Sequence, residues 1–380
     1  MSNLKHTRRA FLRHGAIASA SITLAAAKPS KRTAVEPVQL AGDEKLRIAI
    51  LGCGNHSPAH IRAINYYSDR MEVAALCDIV PEKLEEKKEL VESGSPELYT
   101  DYEKMLAGCE NLHAVAVVLP NTVHRVGTVA SLDTGKHVLC EKPLTLKLDD
   151  TKAIIDAADR TGRIVQVGTQ SRHAPGYQLL ADKIRNGLIG NPLYGWAQMF
   201  RVDWLKLYPD PEVDSRKNWR MKQDQGGSVV HEMGIHTIDV FNWFIDSDPI
   251  EVSALGGVHN GKLQKRTAWD HAGVVVRYAN GAMMTYGGNL YCCDGPGPDF
   301  LFGDKASLEI GSRTTTDATV YERAYWRPFG KGVGPVSKEV IELPDMEARP
   351  STLQYAHFYE AVQGKKKDRF LPRATICPLY

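Results

Sequence analysis

Once its first 27 residues are set aside, the sequence has no apolar run long enough to span a bilayer, so no membrane insertion is expected of the mature chain. Its seven cysteines (Cys53, Cys77, Cys109, Cys140, Cys292, Cys293 and Cys377) include no paired Cys-x-x-Cys. Neither a metal-ligand framework nor a disulfide scaffold is therefore expected. Several lie in or beside apolar strands, where free cysteine acts as a small hydrophobe. Charge of one sign is also scarce. The formal balance is +2, but Lys5, Arg8, Arg9 and Arg13 stand in the first 27 residues, which carry no acid. Without those four, the 45 acidic residues outnumber the remaining basic ones by two, and the single dense basic run is Lys365-Lys366-Lys367. A nucleic-acid partner is not expected.

What is present is enough for two domains: 380 residues with the hydrophobic and charged fractions of a globular protein. Residues 1–27 read as an address. Thr7-Arg8-Arg9-Ala10-Phe11-Leu12-Arg13 precedes a weakly apolar run, Gly15 to Ala27, ending in three alanines. This order looks like a twin-arginine export signal and implies a periplasmic or otherwise exported protein. Residues 28–45, polar and containing Pro29 and Pro37, read as an extended arm or linker.

The chain is organised around Leu46 to Asp78. An apolar strand breaks into Gly52-Cys53-Gly54-Asn55-His56-Ser57, a helix follows from Pro58 to Tyr67, and a second strand ends on Asp78. Strand, Gly-x-Gly turn, helix, strand and terminal acid form a dinucleotide-binding fingerprint. Gly52 allows the tight turn, Gly54 lets phosphates approach the helix N-terminus, and Asp78 accepts from ribose hydroxyls. Ser57 stands where the third glycine is usual, which is expected to loosen helix–strand packing. Asp78 favours NAD over NADP, because a carboxylate repels a 2′-phosphate.

Alternating helices and strands continue to Gly168. Helices are expected over Pro81 to Gly94, Asp101 to Gly108, from His124 to Gly135 and over Leu148 to Gly162, with strands at Val115–Leu119, His137–Cys140 and Ile164–Gly168. A linking helix, Pro175 to Leu188, precedes a change of texture. Strand-like runs at Leu193–Val202, Ile250–Leu255, Gly273–Tyr278, Ala282–Leu290 and Phe300–Ile310 predict a large, mostly antiparallel open sheet, with Asn280-Gly281 as a hairpin turn. A helix from His231 to Phe244 interrupts them, and Ser351 to Val362 reads as a last helix with a serine N-cap. The expected class is α/β, a doubly wound parallel Rossmann sheet over residues 46–170 and an α+β substrate-binding and oligomerisation domain over 171–364, followed by a tail, 365–380.

Two segments carry chemistry. Glu141-Lys142-Pro143 stands at the carboxyl end of a strand, where ligands of doubly wound sheets gather. Gly226-Gly227-Ser228-Val229-Val230-His231-Glu232-Met233-Gly234-Ile235-His236 places Glu232 and His236 four apart, a spacing that pairs them on one helical face. Oxidising a secondary alcohol requires removal of its hydroxyl proton. His236 suits that task, with Glu232 orienting the ring and Lys142 stabilising developing negative charge on oxygen. His231, Glu232 and His236 are also metal-ligand types, but no other ligand cluster joins them and no metal is expected. Arg172, Tyr177, Asp203, Trp204, Asn218, Trp219 and His271 suit a sugar pocket, although each taken alone is better read as core or rim packing.

These elements together resemble the glucose-fructose oxidoreductase/inositol dehydrogenase/MocA family over about Leu46 to Gly364. The resemblance implies that Lys142 touches both nicotinamide ribose and substrate. Gly52, Gly54, Asn55, His56, Asp78 and Glu141 are expected around the cofactor, with Pro120, Asn121 and His124 in what looks like the family's loop beside the nicotinamide. Arg172, Tyr177, His231 and His236 are expected around the substrate, although the family usually has an apolar residue in place of His231 and aspartate in place of Glu232. The resemblance also implies a homo-oligomer assembled through the C-terminal sheet. Relatives continue past the position of Gly364 into another helix on the nucleotide domain, whereas here a short tail broken by Pro372 and Pro378 follows. The expected activity is hydride transfer between tightly bound NAD, or NADP, and a CH-OH group of a sugar, cyclitol or glycoside. A redox-neutral glycosidase or lyase working through a transient keto-sugar remains open, as does a non-catalytic sugar- or nucleotide-binding protein.

Overall fold

The computed structural model describes residues 33–34, 37–201, 218–259, 266–290, 297–311, 317–322 and 338–365. The arginine pair, Asp203, Trp204, Cys292, Cys293, Cys377 and the tail beyond Lys365 lie outside the described residues.

The first half alternates β1 (Leu46–Leu51), α1 (Ser57–Tyr66), β2 (Met71–Cys77), α2 (Pro81–Lys88), β3 (Glu97–Tyr99), α3 (Tyr102–Gly108), β4 (Ala114–Val117), α4 (His124–Asp133), β5 (His137–Cys140), α5 (Leu148–Thr161) and β6 (Val165–Val167). All six strands are parallel, in the order β3-β2-β1-β4-β5-β6. The order reverses between β1 and β4, which makes the carboxyl ends of those strands the ligand crevice. Both sheet faces are covered, so β1, β2 and β4 are almost wholly apolar and buried. The boundaries follow local chemistry. Asp101 caps α3 by accepting from the N–H groups of Glu103 and Lys104, and Gly162 at φ +64° closes α5. The charged segment after Pro81 is helical only to Lys88, shorter than its composition suggests.

The second half begins with α6 (Pro175–Arg185) and builds an eight-stranded sheet from β7 (Pro192–Phe200), β8 (Pro249–Gly257), β9 (His271–Tyr278), β10 (Met283–Asn289), β11 (Asp299–Gly303), β12 (Ala306–Ile310), β13 (Asp317–Glu322) and β14 (Lys338–Glu342). Every pairing is antiparallel except that of β7 with β10. The run expected as one strand over Phe300–Ile310 is a hairpin instead, turning at Asp304-Lys305, with Asp304 accepting from the backbone N–H of Asn191. Asn280-Gly281 makes the β9–β10 turn, with Gly281 at φ +87°. One sheet face carries α6 and α7 (Ile235–Ile245), with Leu180, Ile184, Ile238, Phe241, Val274, Met284 and Leu308 in its core. The other presents Trp196 and Val275 outward, 54% and 37% exposed.

The last helix, α8 (Pro350–Val362), starts with proline at its first turn after Arg349, not with Ser351 as N-cap. It leaves the second sheet and packs on the first: Tyr355, Phe358 and Val362 are fully buried with Ile61 and Ile64 of α1. By packing, residues 350–362 therefore belong with the N-terminal domain. Described residues of the arm touch this domain, one at α5 and one at α8. Thr33 donates its N–H to Asp159 and Val38 donates to the carbonyl of Val362.

Candidate active site

At the carboxyl end of β1, Gly52 has φ +103°, and a Cβ there would stand 2.5 Å from the carbonyl oxygen of Val118. Only glycine fits. At Gly54 a Cβ would meet nothing within 4 Å, which leaves the open cradle that a phosphate group needs. Asn55 and His56 are exposed on the same turn. Ser57 does not loosen the packing. It is wholly buried, and its hydroxyl donates to the Gly54 carbonyl at 2.8 Å, closing the turn. Asp78 accepts from the N–H of Cys53 at 2.8 Å and from that of Val80 at 2.9 Å, so its carboxylate is fixed beside the glycine turn. This set fits a dinucleotide.

His56, His60 and Glu141 meet just behind this turn. Glu141 Oε1 lies 3.4 Å from His56 Nε2 and 3.2 Å from His60 Nε2. Burial pushes the Glu141 carboxyl up, but the two imidazoles outweigh burial and hold it well below the usual range. Burial lowers His60, which keeps that ring uncharged.

His124 acts from beneath the crevice. It is fully buried, with Nδ1 2.8 Å from the Pro143 carbonyl and Nε2 2.8 Å from the Leu119 carbonyl. Both neighbours can only accept, so both ring nitrogens carry hydrogen. Burial disfavours that charge, yet Cys140 and the two carbonyls prevail and raise the ring to about 9. His124 thus braces the β4 loop against the Lys142 loop. Asn121 is likewise turned to protein: its amide donates to Glu232 Oε1 at 2.6 Å and to the Gly226 carbonyl at 3.3 Å.

Glu232 is the centre of the site. Its buried carboxylate receives Asn121, Arg220 Nε at 3.2 Å and Lys142 Nζ at 3.6 Å, while Lys142 Nζ also donates to the Glu232 carbonyl at 2.9 Å. Burial pushes the carboxyl up; Lys142, Arg220 and Asn121 overturn this and leave it below its ordinary value. The expected Glu232–His236 ion pair is not formed. Val230–Gly234 is a π-turn, which shifts the facing residues away from the four-residue spacing of an α-helix, and two cations take the carboxylate instead. His236 lies buried in the first turn of α7, one turn beyond the carbonyl that Lys142 grips. His231 bonds Ser228 Oγ at 3.0 Å through Nδ1, and burial lowers its pKa although Glu232 opposes this.

Two residues expected at the substrate serve the scaffold. Arg172 spends its guanidinium on Asp239 of α7, at 2.7 and 2.9 Å, with both groups buried, and covers the Trp243 ring at 5.3 Å. Tyr177 packs near Phe244 at the edge of the C-terminal core, ring centroids 6.1 Å apart. Of the other pocket candidates, Asn218 is buried, Trp219 lies under the Arg220 guanidinium at 4.2 Å, and His271 pairs with Asp270 at 2.8 Å. Arg220 was not singled out from the sequence, since a lone arginine in an irregular segment carries no periodic signal. His60 was also missed, although its four-residue spacing from His56 at a helix start was readable.

The model of the oxidoreductase family with an NAD-binding Rossmann fold, Gfo/Idh/MocA, matches residues 46–169, and that of the Gfo/Idh/MocA C-terminal domain matches residues 177–309. The 1,5-anhydro-D-fructose reductase of Ensifer adhaerens is 30% identical over 196 residues, 51% of this chain and 55% of that protein. The inositol 2-dehydrogenase of Salmonella typhimurium is 29% identical over 206 residues, 53% of this chain and 55% of that protein. The matched stretch thus spans about half the length of these curated relatives. Among solved structures, the aldose-aldose oxidoreductase of Caulobacter crescentus, complexed with glycerol, has the same fold at 22% identity, with TM-score 0.68 over 86% of this chain and 90% of that one. With the glycine turn, the Lys142 loop and the Glu232 segment in one crevice, and both halves matched, the chain belongs to the Gfo/Idh/MocA oxidoreductase family.

Proposed function

We propose that this chain is an exported NAD-dependent oxidoreductase acting on a CH-OH group of a sugar, cyclitol or glycoside. The observation that carries the reading is the grip of Lys142, from the strand-end loop of the nucleotide domain, on both the carboxylate and the carbonyl of Glu232 from the second domain. Gly52, Gly54 and Asp78 would hold the dinucleotide, with Asp78 favouring NAD. When bound, the nicotinamide supplies the acceptor for the hydride that leaves the alcohol carbon. Lys142 donates a hydrogen bond to the substrate oxygen and stabilises negative charge as it develops there. His236 takes the hydroxyl proton, so the substrate loses one hydride and one proton and becomes a carbonyl. Glu232, fixed by Asn121 and Arg220, keeps the Lys142 ammonium in place. The Ensifer and Salmonella relatives, a sugar-type reductase and an inositol dehydrogenase, support this substrate class.

Export by the twin-arginine route is part of the proposal, supported by Arg8-Arg9 and the apolar run behind them. It implies a cofactor that stays bound and is regenerated in place. The outward face of the second sheet, with Trp196 and Val275 half-bare, supports assembly of copies through that face. A redox-neutral glycosidase is the second reading, supported by His231 beside Glu232, an additional base whose ring is held by Ser228 Oγ at 3.0 Å.

The test is to denature purified protein, identify released nucleotide, and screen sugars and cyclitols for its reduction. Bound NAD with a sugar-dependent rise in NADH supports the dehydrogenase. Aglycone release without net NADH supports the second reading. Absence of any nucleotide affinity, or turnover unchanged in Lys142→Ala, refutes both.

A further inference from the structure

We propose that His56, His60 and Glu141 form a binding site for a divalent transition cation, with zinc the best match to the donor set. The sequence directs attention to His231, Glu232 and His236, but there the carboxylate is already taken by Lys142, Arg220 and Asn121. Behind the glycine turn the geometry differs. His56 immediately precedes α1 and His60 lies four residues on, so the two imidazoles share a side of the helix start, and Glu141 rises to meet them from the end of β5.

The three donor atoms lie within 4.8 Å of one another. Donors held at about 2.0–2.1 Å by a tetrahedral zinc stand about 3.3–3.4 Å apart. The separations from Glu141 Oε1 to the two Nε2 atoms are 3.4 and 3.2 Å. Three donors suit an ion, because two of these edges already have the length that its coordination imposes.

His60 supplies an independent observation. Its ring is 1% exposed, and the buried Nε2 has the Glu141 carboxylate 3.2 Å away but no hydrogen-bond partner of its own. A buried imidazole nitrogen without a hydrogen-bond partner, close to a carboxylate, can offer its lone pair to a cation the two share. The other nitrogen, Nδ1, is 2.8 Å from the Tyr355 hydroxyl, the kind of outer partner that fixes tautomer and ring orientation in metal sites. His56 is 45% exposed, which gives the ion a route in from the crevice. Three protein donors leave one position of a tetrahedral ion open to water or another oxygen ligand. A cation there also adds positive charge beside the turn that receives phosphate groups; this consequence rests on the dinucleotide reading, whereas the site itself does not.

The test uses full-length protein freed of metal by a chelator and of nucleotide, titrated with Co2+ as the spectroscopic probe. The expected result is one equivalent of Co2+ with the visible absorption of a four-coordinate nitrogen and oxygen site, bleached when Zn2+ displaces it. His56→Ala, at an exposed position that folding tolerates, is expected to weaken binding at least about tenfold, and Glu141→Gln to do likewise. A Zn2+-induced rise in Tm seen in the parent and absent in His56→Ala is the second readout. No Co2+ spectrum, an affinity unchanged in His56→Ala, or a thiolate-to-cobalt charge-transfer band marking cysteine ligands would each overturn the proposal.

Discussion

Replacing Asp78 with asparagine separates two tasks that its carboxylate performs together. One is internal: the two oxygens accept from the N–H groups of Cys53 and Val80 and pin the glycine turn to the end of β2. Hydrogen bonds to a charged group contribute about 1.5–3 kcal/mol. The amide keeps one acceptor and the site is partly open to water, so Asp78→Asn is expected to cost about 1 kcal/mol of stability. The other task is recognition of the ribose hydroxyls. Loss of the anionic acceptor is expected to weaken NAD by about 1.5–3 kcal/mol, roughly 10- to 100-fold in Kd. NADP should be unaffected or bind more tightly, since the charge that opposes its 2′-phosphate is gone. Titration of nucleotide-free protein with NADH and NADPH, beside urea unfolding of the same sample, reads both tasks. An NAD Kd within about threefold of the parent in a folded variant confines Asp78 to its structural role, and equal loss of both nucleotides means the turn was merely distorted; either result refutes the ribose contact.

Gly52→Ala forces a Cβ to 2.5 Å from a carbonyl oxygen at φ +103° and is expected to cost about 2–4 kcal/mol, read as a lower urea midpoint with loss of retained nucleotide. Arg220→Gln removes a half-exposed partner of Glu232; stability should change by less than about 1 kcal/mol while kcat falls and nucleotide Kd holds, so an unchanged kcat counts against its positioning role. His137 accepts the N–H of Ile164 at Nδ1, 3.1 Å away, and burial, with Arg163 and His113, pulls the ring down to about 4. Between that value and the unfolded value of about 6.5 the unfolded chain binds a proton that the folded one refuses. Stability is therefore full above pH 6.5 and falls by about 3 kcal/mol as pH drops to about 4. Urea midpoints from pH 7.5 to 4.5 should show this slope, and His137→Gln should flatten it.

The sequence revealed what is written in consecutive residues. Gly52, Gly54 and Asp78 belong to one βαβ unit, so spacing alone put the glycines in the turn and Asp78 beside it. Lys142 was legible because a strand end in a doubly wound sheet has a fixed relation to the crevice. Misreadings arose where a contact depends on distant chain or on an irregular helix. Glu232 and His236 were paired on the assumption of α-helical pitch, which the π-turn removes. Arg172 reads as a pocket residue until Asp239, far along the chain, is seen to take its guanidinium. His124 reads as a cofactor contact, but the carbonyls of Leu119 and Pro143 claim both nitrogens. The hairpin at Asp304-Lys305 was legible in Gly303-Asp304, a turn signal between two apolar runs short enough together to read as one strand.

The return of α8 to the first domain has a consequence for biogenesis. Tyr355 and Phe358 seal the apolar side of α1, and they leave the ribosome after the entire second sheet. The nucleotide-binding half thus keeps an open apolar flank until α8 has been made. Its core is therefore completed not by its own first 170 residues but by a helix that follows the whole second sheet in the chain.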